Sequence, residues 1–139
     1  MSANDAVLED AEVRPTKTWM VWGGRVLTAL PVLMMTMSAA MKLSHAPMMA
    51  EKFTRTMGYP ESTLVGIGLI ELFSVVLYAI PRTAILGAIV LTGYLGGAVA
   101  THVRIGEPFA VPLLLGILAW AGLYLRDERV RALLPLRNS

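Results

Sequence analysis

The stretch VGIGLIELFSVVLYAI, residues 65–80, is apolar enough to lie in a lipid bilayer, yet it carries one carboxylate, Glu71, near its middle. Hydrocarbon offers no partner to a backbone N–H or C=O, so a run of this kind must satisfy its own polar groups as a helix. A bilayer core of about 30 Å takes roughly 20 apolar residues per helix. Four runs of about that length can be marked, at 19–41, 63–80, 83–102 and 109–125. They occupy most of the 139 residues and leave little for a soluble domain. A hydrophobic content of 55% and a mean hydropathy of +0.61 point the same way. The expected fold is all-α: an integral membrane four-helix bundle over 19–126, between a polar arm at 1–18 and a basic tail at 127–139.

Composition removes several kinds of chemistry. The chain has no cysteine, which excludes thiolate catalysis, disulfide exchange and cysteine-ligated zinc or iron–sulfur centres. Its two histidines, His45 and His102, stand on different segments, so no single helix supplies a pair of axial haem ligands. The methionines of VLMMTM and PMMA read as adaptable packing, because no histidine-rich partner accompanies them as a copper site would need. No catalytic residue, metal or resident cofactor is assigned. A net charge of +2 does not point to nucleic acid, since the basic residues flank apolar runs and form no stripe with aromatics. The expected partner is the lipid bilayer.

The first 18 residues hold Asp5, Glu9, Asp10 and Glu12 ahead of Arg14 and Lys17, a flexible polar arm with too little apolar surface to fold by itself. The Ser38–Ala39–Ala40 triplet resembles a leader cleavage site, but the acidic lead is atypical of one. The first loop, KLSHAPMMAEKFTRTMGYPES, spaces Met48, Met49, Phe53 and Met57 along one side of a helix and Glu51, Lys52 and Arg55 along the other. It reads as a short interfacial helix ended by Gly58 and Pro60. The second loop is only Pro81–Arg82, so the spans it joins are antiparallel neighbours. VLTALPVLMMTMSAAMKLSHAP in the first span resembles VLTGYLGGAVATHVRIGEP in the third. Duplication of a helical hairpin and coincidence both fit.

A charge at the centre of a membrane helix costs roughly 2.5 to 3.5 kcal/mol on insertion scales and is usually turned inward and paired. Glu71 therefore needs a partner. Counted from Leu64, seven residues put it about 10 Å below the outer surface. Lys42 and His45 close the first span, and His102 and Arg104 close the third, all at that same end. These five residues form the candidate ligand or ion-pair cluster. Gly68, Glu71, Ser74 or Val75, and Tyr78 recur at i+3 and i+4 as a small and polar inward stripe. On the third span Gly93 with Gly97, and Gly96 with Ala100, have the spacing that lets helix backbones approach closely. Tight packing there would bring His102 within reach of Glu71. The third-span glycines, with Ala119 and Gly122 of the fourth, also suggest shallow surfaces for a second copy or another membrane protein. Whether Glu71 only locks the helices together or also meets a ligand stays open at this point.

These residues carry a resemblance. The chain is similar to the DoxX-like integral membrane proteins, small four-span proteins of bacteria and archaea, from residue 25 to about residue 126. The likeness rests on the basic residue in MKLSHAP, the GxxE pattern from Gly68 to Glu71, and the run GAVATHVRIGEP that closes the third span. It implies a four-helix membrane bundle with a polar cluster of Lys42, Glu71 and His102 at one end. Its implied roles vary: relatives include a subunit of a thiosulfate-oxidising quinone reductase and, more distantly, eukaryotic cargo receptors and receptor-assembly chaperones. Two readings follow. One is an accessory or assembly subunit without activity of its own; the other is a binder of a quinone or similar small lipophilic molecule around Glu71.

Orientation follows from the basic residues. Both ends and the second loop carry Arg14, Lys17, Arg25, Arg82, Arg126, Arg129, Arg131 and Arg137, against Lys42, Lys52, Arg55 and Arg104 on the other side. Both termini are expected in the cytoplasm of a multi-pass protein of the cell inner membrane. A single cysteine at Ser62 should then react with a membrane-impermeant maleimide in spheroplasts without lysis. Labelling that requires exposure of the inner face would overturn this orientation.

Overall fold

The computed structural model describes residues 17–134, and the regular structure within them is entirely helical. The outer parts of the expected polar arm and basic tail, residues 1–16 and 135–139, lie outside the described residues. Helix α1 is Thr18–Leu43; a short α2, Pro47–Glu51, runs into a π-helical turn, Lys52–Thr56. A 3₁₀ turn, Glu61–Thr63, leads into α3, Leu64–Ala79. Helices α4, Ala84–Ile105, α5, Ala110–Arg126, and α6, Glu128–Leu133, follow. Three segments are long and apolar enough to cross a membrane: α1, α3 with its leading turn, and α4. Helix α5 is equally apolar but has 17 residues.

The outer surface suits lipid rather than water. Leu33, Met37, Leu69, Phe73, Leu86, Ile89, Leu114 and Ile117 are 53% to 68% exposed, a continuous apolar coat that a soluble monomer would not carry. Trp19 and Trp22 stand exposed at the start of α1, with the Arg25 guanidinium 5.3 Å from the Trp22 ring, as in the aromatic belt at a membrane interface.

Each long helix packs on two others: α1 on α3 and α5, and α4 on α3 and α5, with α1 and α4 on the diagonal. Glycine decides where backbones meet. A Cβ on Gly24 of α1 would stand 2.7 Å from the Gly122 carbonyl of α5, and one on Gly122 would stand 2.7 Å from Thr28 Oγ1. In the α3–α4 hairpin, Gly87 lies against the backbone of Leu77 and Tyr78, and Thr83 Oγ1 donates to the Leu77 carbonyl at 2.8 Å. The close contacts are thus not those expected of α4. Gly93, Gly96 and Gly97 have nothing within 4 Å of where a Cβ would be, because they border open spaces and touch no helix. Ala119 and Gly122 are likewise no outer surface, since both are buried in the helix packing.

Hydroxyls inside the bundle find backbone acceptors, as a low-dielectric interior requires. Thr28, Ser74, Thr92 and Thr101 each donate to the carbonyl four residues earlier, and Tyr78 donates to Ala119 O at 2.6 Å. The threonines of the two VLT segments are treated alike: Thr28 lies 3.3 Å from the Tyr78 hydroxyl, and Thr92 accepts from Trp120 Nε1 at 2.8 Å. The first loop departs from the uniform helix expected of it. Its π turn adds a residue per turn and shifts the face, so Met49, Phe53 and Met57 face the cavity with Lys52 exposed at its rim, while Met48 is 73% exposed.

These contacts set a contrast in stability. Gly87→Ala should lower the melting temperature in detergent by an amount equivalent to about 1 to 3 kcal/mol, the usual cost of overpacking, whereas Gly96→Ala should leave it unchanged or raised. Equal melting temperatures for the two variants would contradict the packing described.

Candidate ligand cavity around a buried ion pair

Lys42 closes α1 and Glu71 lies on α3, and the packing of these two helices joins them: Lys42 Nζ stands 2.8 Å from Glu71 Oε2. Both are buried, Lys42 at 7% exposure and Glu71 at 2%. Ser38, one turn before Lys42 on the same helix face, completes the arrangement. It accepts from Lys42 Nζ at 2.6 Å and donates to Glu71 Oε2 at 3.3 Å. Gly68 makes room one turn before Glu71, since a Cβ there would come within 3.0 Å of Lys42 Cβ. Tyr94 of α4 adds its hydroxyl as an interacting partner of the same carboxylate. The cluster is neutral in sum, which answers the desolvation problem that either charge would pose by itself.

The pair forms part of the wall of a cavity of about 470 Å³ between the long helices. Most of the remaining wall is apolar, including Met34, Met35, Ile67, Leu115 and the flank of α4 at Gly93, Gly97 and Ala98. The first loop covers one end with Met49, Phe53, Met57 and Tyr59. Polar contacts fasten it there. Lys52 meets Glu107 at 3.2 Å, the Tyr59 hydroxyl lies 2.7 Å from Thr101 Oγ1, and Arg104 donates to the Met57 carbonyl while lying over the Tyr59 ring. A second, larger space of about 990 Å³ is an open groove on the outside, between α4 and α5, with a nearly all-apolar lining.

The sequence-named residues are thus distributed unevenly. Lys42 and Glu71 are joined. His102 lines the same cavity, but its Nδ1 is 2.7 Å from the Ala98 carbonyl and its Nε2 is 4.0 Å from Glu107, so its contacts are not with Glu71. The helix approach that was to bring the two together does not form, because α4 is held off by the cavity itself. Arg104 fastens the loop. His45 takes a left-handed φ of 50° just beyond α1, half exposed and 4.0 Å from Glu61, where it serves to end the helix.

A family model described as the DoxX-like family matches residues 26–122. The chain belongs to that family. No curated protein and no solved structure matches it. Lys42, His45, Glu71, His102 and Arg104 all fall inside the matched span of this DoxX-like protein.

Sequence reasoning missed Ser38, Tyr94, Tyr59 and Glu107. Ser38 was within reach, because i−4 from a buried lysine is the natural place for a second acceptor. Glu107 stands in the RIGEP segment, one turn beyond His102 and opposite the basic Lys52 of the loop. Tyr94 gave no signal, since an aromatic beside glycines reads as packing. Arg126, one of the orienting basic residues, also packs over the Tyr78 ring at 5.4 Å.

Breaking a buried pair on one side typically costs about 3 to 5 kcal/mol, less where the lysine stem can carry its charge toward the surface. Glu71→Gln should therefore lower the melting temperature markedly, and adding Lys42→Met should recover most of the loss. An unchanged melting temperature in Glu71→Gln would mean that the pair contributes nothing to the fold.

Proposed function

We propose that all four long helices cross the bilayer, with α2 and its π turn at the outer interface, and that this DoxX-like protein holds a small lipophilic molecule with a polar head in the Lys42–Glu71 cavity. Helix α5 spans about 26 Å at 1.5 Å per residue, near the lower limit for a crossing, and packs along α1 and α4. The proposed setting is the inner membrane, with both termini cytoplasmic.

One observation carries the ligand reading: a buried ion pair faces a largely apolar cavity of about 470 Å³, a size and lining typical of small-molecule sites. Lys42 has three donor hydrogens, and Ser38 and Glu71 account for two. The third is available to a carbonyl or hydroxyl oxygen, while the Tyr94 hydroxyl, engaged with Glu71, can still accept from a hydroxyl. A quinone is one molecule of this kind, and electron transfer would then fall to a partner that carries a redox centre.

A second reading, the accessory or assembly subunit, is favoured by the unfilled groove between α4 and α5 and by Gly96 within it. Purification in mild detergent, followed by mass spectrometry of extracted lipids and copurifying proteins, separates the two. The ligand reading expects a stoichiometric lipophilic molecule that is absent from the Glu71→Gln, Lys42→Met double variant although its melting temperature has recovered. A stoichiometric protein partner with no such molecule would replace it by the accessory reading.

A further inference from the structure

The inner cavity and the outer groove are separated by very little. Leu95 of α4 and Pro112 of α5 line both. Around them α4 is thin: Gly93 and Gly97 border the cavity, Gly96 borders the groove, and a Cβ on any of the three would meet nothing within 4 Å. On the α5 side, the nearest atom to a Cβ on Gly116 would be Leu95 Cδ1 at 3.7 Å. At this point the two spaces share Leu95 and Pro112 as wall. The aqueous end is the opposite, closed by the loop and fastened through Lys52–Glu107, Tyr59–Thr101 and Arg104.

We propose that this site takes a lipid with a neutral, hydrogen-bonding head and a single long hydrocarbon chain, which enters from the bilayer between α4 and α5. The head meets Lys42 and Glu71, and the chain leaves past Leu95 and Pro112 into the groove. The proposal rests on the cavity being a ligand site and adds the ligand's class and its route. The head is neutral because the pair is neutral in sum, and a charged head would break the pair or leave net charge buried. The chain is long because the groove runs along α5 from Pro112 to Tyr124, about 18 Å at 1.5 Å per residue, with an apolar lining throughout. Hydrocarbon gains no hydrophobic energy by leaving one apolar medium for another, so the groove lets the chain out and the head supplies the affinity. Rotation of Leu95 between staggered rotamers joins the two spaces.

The full-length protein in phosphatidylcholine nanodiscs, photolabelled with hexadecan-1-ol carrying a diazirine near its methyl end, tests this. Saturable labelling is expected on Thr92, Val99 and Ile117, suppressed by unmodified hexadecan-1-ol. The Glu71→Gln, Lys42→Met double variant should lower it about tenfold, the value of one hydrogen bond to a charged group. Gly96→Leu fills the groove without touching the pair, and should lower the labelling to a similar degree at an unchanged melting temperature. Saturable labelling confined to Met34 and Ile67 and indifferent to Gly96→Leu would overturn the lateral route and leave the ligand cavity standing. Labelling that never saturates, spread over every lipid-facing helix and unchanged in the double variant, would overturn both.

Discussion

The contact between Lys42 and Glu71 constrains the rest of the molecule, because neither charge tolerates hydrocarbon without the other. At 2.8 Å the pair ties α1 to α3 at the ends beside the first loop, and the side chains around it match that fit. Ser38 shares both charges, and Gly68 is small because a Cβ would press on the lysine stem. A sequence change at any of these positions acts through the pair.

Glycine does two opposite jobs in this bundle. At Gly24, Gly122 and Gly87 it closes distances, bringing α1 to α5 and α3 to α4 at near-backbone contact. At Gly93, Gly96 and Gly97 it holds space open on both sides of α4. The molecule is therefore tight where α1 meets α5 and where the start of α4 meets α3, and loose along the second half of α4. The halves also differ in charge. Glu71, Ser74 and Val75 are buried at the same distances after Pro60 as Ala119, Gly122 and Leu123 after Pro108. The position that holds the carboxylate in one half holds an alanine in the other.

Much of the fold was legible because membrane helices are set by length and apolarity. The run marked at 63–80 became Leu64–Ala79 with its leading turn, and 109–125 became Ala110–Arg126. The inward stripe on α3 was legible too, since Gly68, Glu71, Ser74 and Tyr78 contrast with the leucines around them, and all are buried. Helix α4 offered no such contrast. Small residues occur on several of its faces, and spacing cannot tell a glycine that admits another helix from one that borders a void. The reach of His102 was misjudged for the same reason, because it depended on α4 being packed where it is open. The π turn was hidden because a change of hydrogen-bonding register leaves composition untouched.

The coexistence of the pair and the void argues about purpose. Interiors pack closely, so a pair that served only to lock two helices would be expected to sit among packed side chains. Here the ion pair faces a space of about 470 Å³, and glycines stand on its far wall where leucines would fill it. Bulk at Gly93 or Gly97 would meet no obstacle. The proposed ligand, with a polar end and an apolar body, would use both features, meeting the pair with the one and the apolar wall with the other.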